Sequence, residues 1–155
     1  MGVLYYSTRG DKQAYTASQA ILQGLAKDGG LFVPDALPKL DKTMEELSAM
    51  DYKEVAYEVM KQFLTDYTEE ELKACIKNAY NDRFDTPAIA PTVKKAGAYY
   101  LELFHGPTIA FKDMALSILP HFTHESPLLL TGAGIPSNPS ENLPGSELCF
   151  CSSFL

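Results

Sequence analysis

The sequence predicts a mixed α/β fold, with a helical amino-terminal part carrying short strands and the beginning of a second, incomplete α/β unit after it. Three observations predict it. Helix-start signatures recur ahead of apolar-periodic stretches, at Thr16/Gln19, Thr43/Glu46 and Thr68/Glu71. Short β-branched and aromatic runs, at residues 3–7 and 98–103, are bounded by turn residues. The chain has 155 residues, 46% of them hydrophobic, with nine Tyr and eight Phe, which is enough apolar material for one core.

Taken in order, residues 3–7 read as a strand that ends in the turn Thr8-Arg9-Gly10-Asp11. Thr16 opens a helix whose apolar stripe is Ala17, Ile21, Leu22 and Leu25. Asp28-Gly29-Gly30 stops it, since glycine accepts the left-handed conformation at a helix end. Leu31-Phe32-Val33-Pro34 is a short extended piece, kept short by Pro34 and Pro38. Thr43 and Glu46 start a brief helical turn, and Asp51 caps a longer helix with Val55, Val59 and Phe63 on one side. Thr68 and Glu71 start a third helix with Leu72, Ala79 and Tyr80 inward. The acidic residues of these helices fall in first turns and on outer faces, where the positive helix end favours them, so they are scaffold rather than a catalytic cluster. After Thr86-Pro87 a hairpin is expected, turning at Lys95-Ala96-Gly97, and a further helix from about Phe111 to Pro120. The expected division is residues 1–97 as one domain, 98–122 as the start of a second and 123–155 as a divergent tail. Pro127, Pro136, Pro139 and Pro144 punctuate that tail, no Lys or Arg follows Lys112, and the tail is expected to be weakly ordered, with Leu128-Leu129-Leu130 tucking onto the domain.

The net charge of −7 and the lack of a clustered basic face argue against nucleic acid or an anionic membrane as partner. No run approaches the length of a membrane span, and no basic region precedes an apolar run at the start, so cytoplasm is the expected compartment. Three cysteines form no disulfide framework. Cys149-Phe150-Cys151 lacks a second ligand pair, so no metal site is expected.

The densest segment runs Glu102-Leu103-Phe104-His105-Gly106-Pro107-Thr108-Ile109-Ala110-Phe111-Lys112-Asp113. It is a strand end, a Gly-Pro turn and a helix start bearing a lysine with apolar neighbours. Apolar surroundings disfavour an ammonium ion and leave a neutral amine able to attack an aldehyde. From composition alone, a surface lysine paired with Asp113 is the competing reading. His105 has two readings, contact with a cofactor or substrate and satisfaction of backbone groups. Asp113 is expected to anchor the helix start. Arg9 has two readings as well, a fork for a substrate phosphate and a structural ion pair. His121 and His124 lack metal-ligand spacing.

The run from Phe104 to Asp113 resembles the cofactor-lysine motif of threonine synthases, a branch of the fold-type II pyridoxal-phosphate enzymes. Tyr6-Ser7-Thr8-Arg9-Gly10 and Gly24-Leu25-Ala26-Lys27-Asp28-Gly29-Gly30-Leu31-Phe32-Val33-Pro34 resemble amino-terminal signatures of the same enzymes. Three matches in order, over roughly residues 1–122, reverse the odds on Lys112. The resemblance implies that Lys112 is both catalytic and cofactor-binding, forming a Schiff base with pyridoxal 5'-phosphate. It would then move protons at the α- and β-carbons of O-phospho-L-homoserine, so that phosphate leaves, water adds and L-threonine is released. The family's Thr-Ser-Gly-Asp-Thr-Gly loop, whose amides hold the cofactor phosphate, is absent; Thr131-Gly132-Ala133-Gly134 imitates it poorly. The 155-residue polypeptide is therefore expected to have little activity alone. The alternatives are a non-catalytic binding module and a related phospho-lyase using the same motif.

Overall fold

The structure is a computed structural model that describes residues 2–124. The tail readings, including Leu128-Leu129-Leu130, Thr131-Gly132-Ala133-Gly134 and Cys149-Phe150-Cys151, lie outside the described residues. The α/β class holds, with six helices and two two-stranded antiparallel sheets among the described residues. Strand β1 (Tyr5–Ser7) pairs with β2 (Phe32–Pro34), Tyr5 opposite Pro34 and Ser7 opposite Phe32. Strand β3 (Thr92–Lys95) pairs with β4 (Ala98–Leu101).

Every expected helix start is present. Helices α1 (Ala17–Gln23), α2 (Met44–Ser48), α3 (Tyr52–Phe63) and α4 (Glu69–Ala79) each begin with a reciprocal capping box, at Thr16/Gln19, Thr43/Glu46, Asp51/Glu54 and Thr68/Glu71. Each box satisfies two otherwise unpaired amides, a local arrangement that needs no partner elsewhere in the chain. The end of α1 differs from expectation. Gly24, at φ +73°, terminates it four residues before Asp28, because the first glycine able to leave helical geometry ends the helix. Leu25 then lies outside the helix and is exposed.

The core is built around α4. Leu72, Cys75, Ile76 and Ala79 are buried together with Tyr67, Tyr80, Phe84, Ile89, Ile118 and Phe122. Helix α3 meets this core through Tyr52, Ala56, Tyr57 and Met60, with Leu64 beyond its end, rather than through Val55, Val59 and Phe63. An apolar residue set rich enough to form two stripes leaves the choice to packing, and α4 lies against the Tyr52–Ala56–Met60 side.

The expected helix near 111–120 is two short helices, α5 (Asp113–Leu116) and α6 (Leu119–His124). Pro120 has no N–H to donate to Leu116, so the ladder breaks at Ser117–Ile118. Pro120 falls in the first turn of α6, where a missing donor costs nothing. Both helices are held from α4 and its flanks. The Tyr80 hydroxyl donates to the Met114 carbonyl at 2.8 Å, and the Tyr67 hydroxyl donates to the Phe122 carbonyl at 3.0 Å. Burial, then the neighbouring Tyr52, raises the Tyr80 phenol above its ordinary range, which keeps it a donor at any physiological pH.

The β3–β4 turn places Ala96 at φ +51° and Gly97 at φ +81°. A two-residue hairpin with both central residues at positive φ suits Asn-Gly best. Replacing the exposed Ala96 with Asn should stabilise the hairpin by about 0.5–1 kcal/mol. Urea unfolding measures it, and an unchanged or lowered midpoint contradicts the turn assignment.

Candidate active site

Two of the sequence motifs form one unit. The Asp28 carboxylate accepts from the Ser7 hydroxyl at 2.6 Å, the Gly30 amide at 2.9 Å and the Asp11 amide at 3.0 Å. The Ser7 hydroxyl, then the Gly30 amide, holds Asp28 below the usual carboxylate range. A Cβ at Gly30 would sit 2.1 Å from Ser7 Oγ, so only glycine lets the two segments approach this closely. Arg9 donates from Nη1 to the Asp28 carbonyl at 3.3 Å, a bond to backbone rather than the structural ion pair that was one of its two readings.

The second unit is the turn that presents Lys112. The Ile109 amide donates to the Gly106 carbonyl, and the Asp113 amide to the Ala110 carbonyl, each at 3.0 Å. Asp113 is 3% exposed and accepts from the Thr108 amide at 2.8 Å and the Thr108 hydroxyl at 2.6 Å. Burial alone would raise its carboxyl, but the Thr108 hydroxyl and amide prevail and lower it. Asp113 is thus the anchor expected of it, with its oxygens spent on the turn. Ile109 is held at φ +60°, a conformation a β-branched residue adopts only when its surroundings enforce it.

Lys112 stands at the N-cap of α5, half-buried. Its side chain makes no hydrogen bond or salt bridge among the described residues, and Asp113 gives both oxygens to Thr108, so the competing reading of a paired Lys112 and Asp113 is reduced to a through-space attraction between their charges. Lys112 lines an open cavity of about 1150 Å³, with Leu101, Leu103, Phe111, Met114 and Ala115 among its neighbours there. The same cavity is lined by Ala17, Ala20 and Ile21 of α1 and by Tyr5 and Phe32 of the first sheet. The structure therefore brings the amino-terminal strands and the lysine turn to one concave, largely apolar site, as a small-molecule pocket requires.

The His105 ring does not satisfy backbone groups, the second of its two readings. Nδ1 lies 2.5 Å from Asp85 Oδ1 and Nε2 lies 2.9 Å from Glu102 Oε2, with 14% of the side chain exposed. Both nitrogens are occupied by carboxylates rather than by backbone or by a free site. The two carboxylates engage opposite sides of the ring, so the three side chains do not converge on one point, and no metal-binding group occurs among the described residues. Asp85 is the residue that sequence reasoning missed: it sits 20 positions from His105, with no spacing that marks it. Tyr80 and Thr108 lay within segments the sequence singled out, but their hydrogen bonds to Met114 and Asp113 were not foreseen. His121 lies in α6 away from any such group, and the side chain of His124 lies outside the described residues.

Residues 4–80 match the family profile described as threonine synthase N terminus. The chain is 40% identical over 121 residues to a threonine synthase of Schizosaccharomyces pombe, covering 76% of this chain and 23% of that one. It is 41% identical over 120 residues to a threonine synthase of Pseudomonas aeruginosa, covering 74% of this chain and 25% of that one. The crystal structure of PLP-bound threonine synthase from Brucella melitensis shares the fold with a TM-score of 0.73 at 36% identity, over 84% of this chain and 28% of that one. The chain spans about a quarter of the length of the curated relatives it matches. With the profile matching residues 4–80 and relatives near 40% identity over about 120 residues that extend past Lys112, the chain belongs to the threonine synthase family.

Proposed function

We propose that this chain supplies Lys112 as the covalent anchor for pyridoxal 5'-phosphate in a threonine synthase, the cytoplasmic enzyme that converts O-phospho-L-homoserine and water into L-threonine and phosphate. The observation that carries the reading is a lysine whose side chain has no hydrogen bond or salt bridge among the described residues, on a turn fixed at both ends and lining a large, mostly apolar cavity. These residues fit the aldehyde end of the cofactor, which needs an amine free of other partners. When bound, the cofactor supplies an electron sink for carbanions of the substrate.

The chain's own residues would do the rest. Lys112 Nζ takes and returns protons at the substrate's α- and β-carbons. Asp113, locked onto Thr108, keeps the lysine's backbone from swinging as it does so. The apolar lining limits water at the reacting carbons. Residues 1–97 serve as the amino-terminal domain, and 98–122 begin the cofactor-binding domain. No helix among the described residues is long and apolar enough to cross a membrane. Because the sequence contains no Thr-Ser-Gly-Asp-Thr-Gly run to hold the cofactor phosphate, the 155-residue polypeptide should hold the cofactor loosely and turn over slowly by itself.

Incubation with pyridoxal phosphate, reduction with cyanoborohydride and peptide mapping test this. The expected result is an adduct concentrated on Lys112 and absent there in Lys112→Ala. An adduct on Lys112 no greater than on the exposed Lys39 overturns the assignment.

A further inference from the structure

A neutral imidazole has one N–H, and His105 faces a carboxylate oxygen at each ring nitrogen. In the neutral form one nitrogen lone pair would oppose a carboxylate lone pair; only the imidazolium donates at both ends. We propose that His105 is a positioning residue, an imidazolium strut between Asp85 and Glu102 that fixes the start of the turn presenting Lys112 and so sets the reactivity of that lysine toward an aldehyde. The proposal rests on the reading of Lys112 given above.

The path from strut to lysine is continuous. Asp85 holds His105 twice, because its amide also donates to the His105 carbonyl at 3.0 Å. Glu102 ties the same ring to the end of β4. Gly106 follows, and it lies so close to Asp113 that a Cβ on it would be 2.5 Å from Asp113 Cβ. Asp113 follows Lys112 directly and is bonded back to Thr108. Between the two anchors sits Ile109 at φ +60°, so releasing either one lets a strained segment relax.

Among the described residues, the charged groups facing the ring are Asp85 from the segment after α4 and Glu102 after β4. Phe104 stacks on it with centroids 4.6 Å apart. Glu102, then Asp85, raises the imidazole above its ordinary value of 6.5, against the opposing effect of burial. A group raised in the folded state contributes its stabilisation fully below its unfolded value and loses it as the pH rises through the raised folded value. While both carboxylates are ionised, the strut is therefore intact at pH 6.5 and released only as the pH rises through the raised value.

The experiment follows the ratio of Lys112 to Lys39 adduct in the full chain, using pyridoxal phosphate and cyanoborohydride across a pH series. In the wild type the ratio should fall as His105 loses its proton. In His105→Gln, which cannot donate at both ends, it should be lower by about tenfold at pH 6.5 and flat across the same range. In Glu102→Gln, which keeps the imidazole and removes one partner, the fall should move to lower pH, a displacement that general loosening would not produce. Circular dichroism confirms that each variant is folded, and Glu102→Gln alone decides the matter if His105→Gln is not. A His105→Gln ratio equal to wild type, or an unmoved profile in Glu102→Gln, overturns the proposal while leaving Lys112 as the anchor. A wild type with no Lys112 adduct overturns the reading of the lysine itself, and the strut's role with it.

Discussion

Replacing Gly106 with alanine should collapse the lysine turn and lower the stability of the chain by about 1–3 kcal/mol, the usual cost of forcing atoms into a packed site. The added Cβ would stand 2.5 Å from both Asp113 Cβ and Asp113 Oδ2, and 2.9 Å from its Cγ. Asp113 has no room to yield. It is buried, and both its oxygens are bonded to Thr108. Moving it breaks two hydrogen bonds to a charged acceptor and lets the strained Ile109 relax, which withdraws Lys112 from its place at the cavity. The expected readings are a lowered urea midpoint and loss of the Lys112 preference in cyanoborohydride labelling, with Lys39 labelled as before. Wild-type values in both measurements would show that the turn does not depend on the contact between Gly106 and Asp113.

The largest loss of stability is expected from Leu72→Ala. Leu72 is 1% exposed at the centre of the cluster that joins α4 to Ile118 and Phe122. Truncating a leucine in such a place costs about 2–5 kcal/mol, transfer and cavity together. A domain of this size has about 5–15 kcal/mol in all, so the variant should lose a large fraction of its stability. Urea unfolding followed by circular dichroism should show a midpoint lower by at least about 0.7 M, given the usual slopes. Leu37, 82% exposed, is the control, and Leu37→Ala should leave the midpoint in place. Equal midpoints for the two variants would refute the assignment of the core. The effect should reach the candidate site as well, because the same cluster seats the helices that follow Lys112.

Much of the fold was legible because its signals are short-range. Thr16, Thr43, Asp51 and Thr68 each cap an amide three residues on, a contact that depends on little beyond the local sequence. The Ala96-Gly97 turn and its flanking strands are equally local. Where two signals competed, the sequence misled. Gly24 ended α1 before Asp28-Gly29-Gly30, and Pro120 started a helix rather than closing one, since each outcome turned on which hydrogen-bond partner was in reach.

The candidate site divides in the same way. The sequence by itself determined that a lysine stands at a turn-to-helix junction, that an aspartate follows it to anchor the turn, and that the surrounding run resembles a cofactor-lysine motif. Only the tertiary structure decided that His105 is held by Asp85 and Glu102, that the motif around Ser7 and the one around Asp28 are a single network, and that the amino-terminal strands and helix α1 line one cavity with Lys112. The physical reason is separation along the chain. Asp85 and His105 are 20 residues apart and Ser7 and Asp28 are 21, distances over which no backbone periodicity relates two side chains and only packing brings them together.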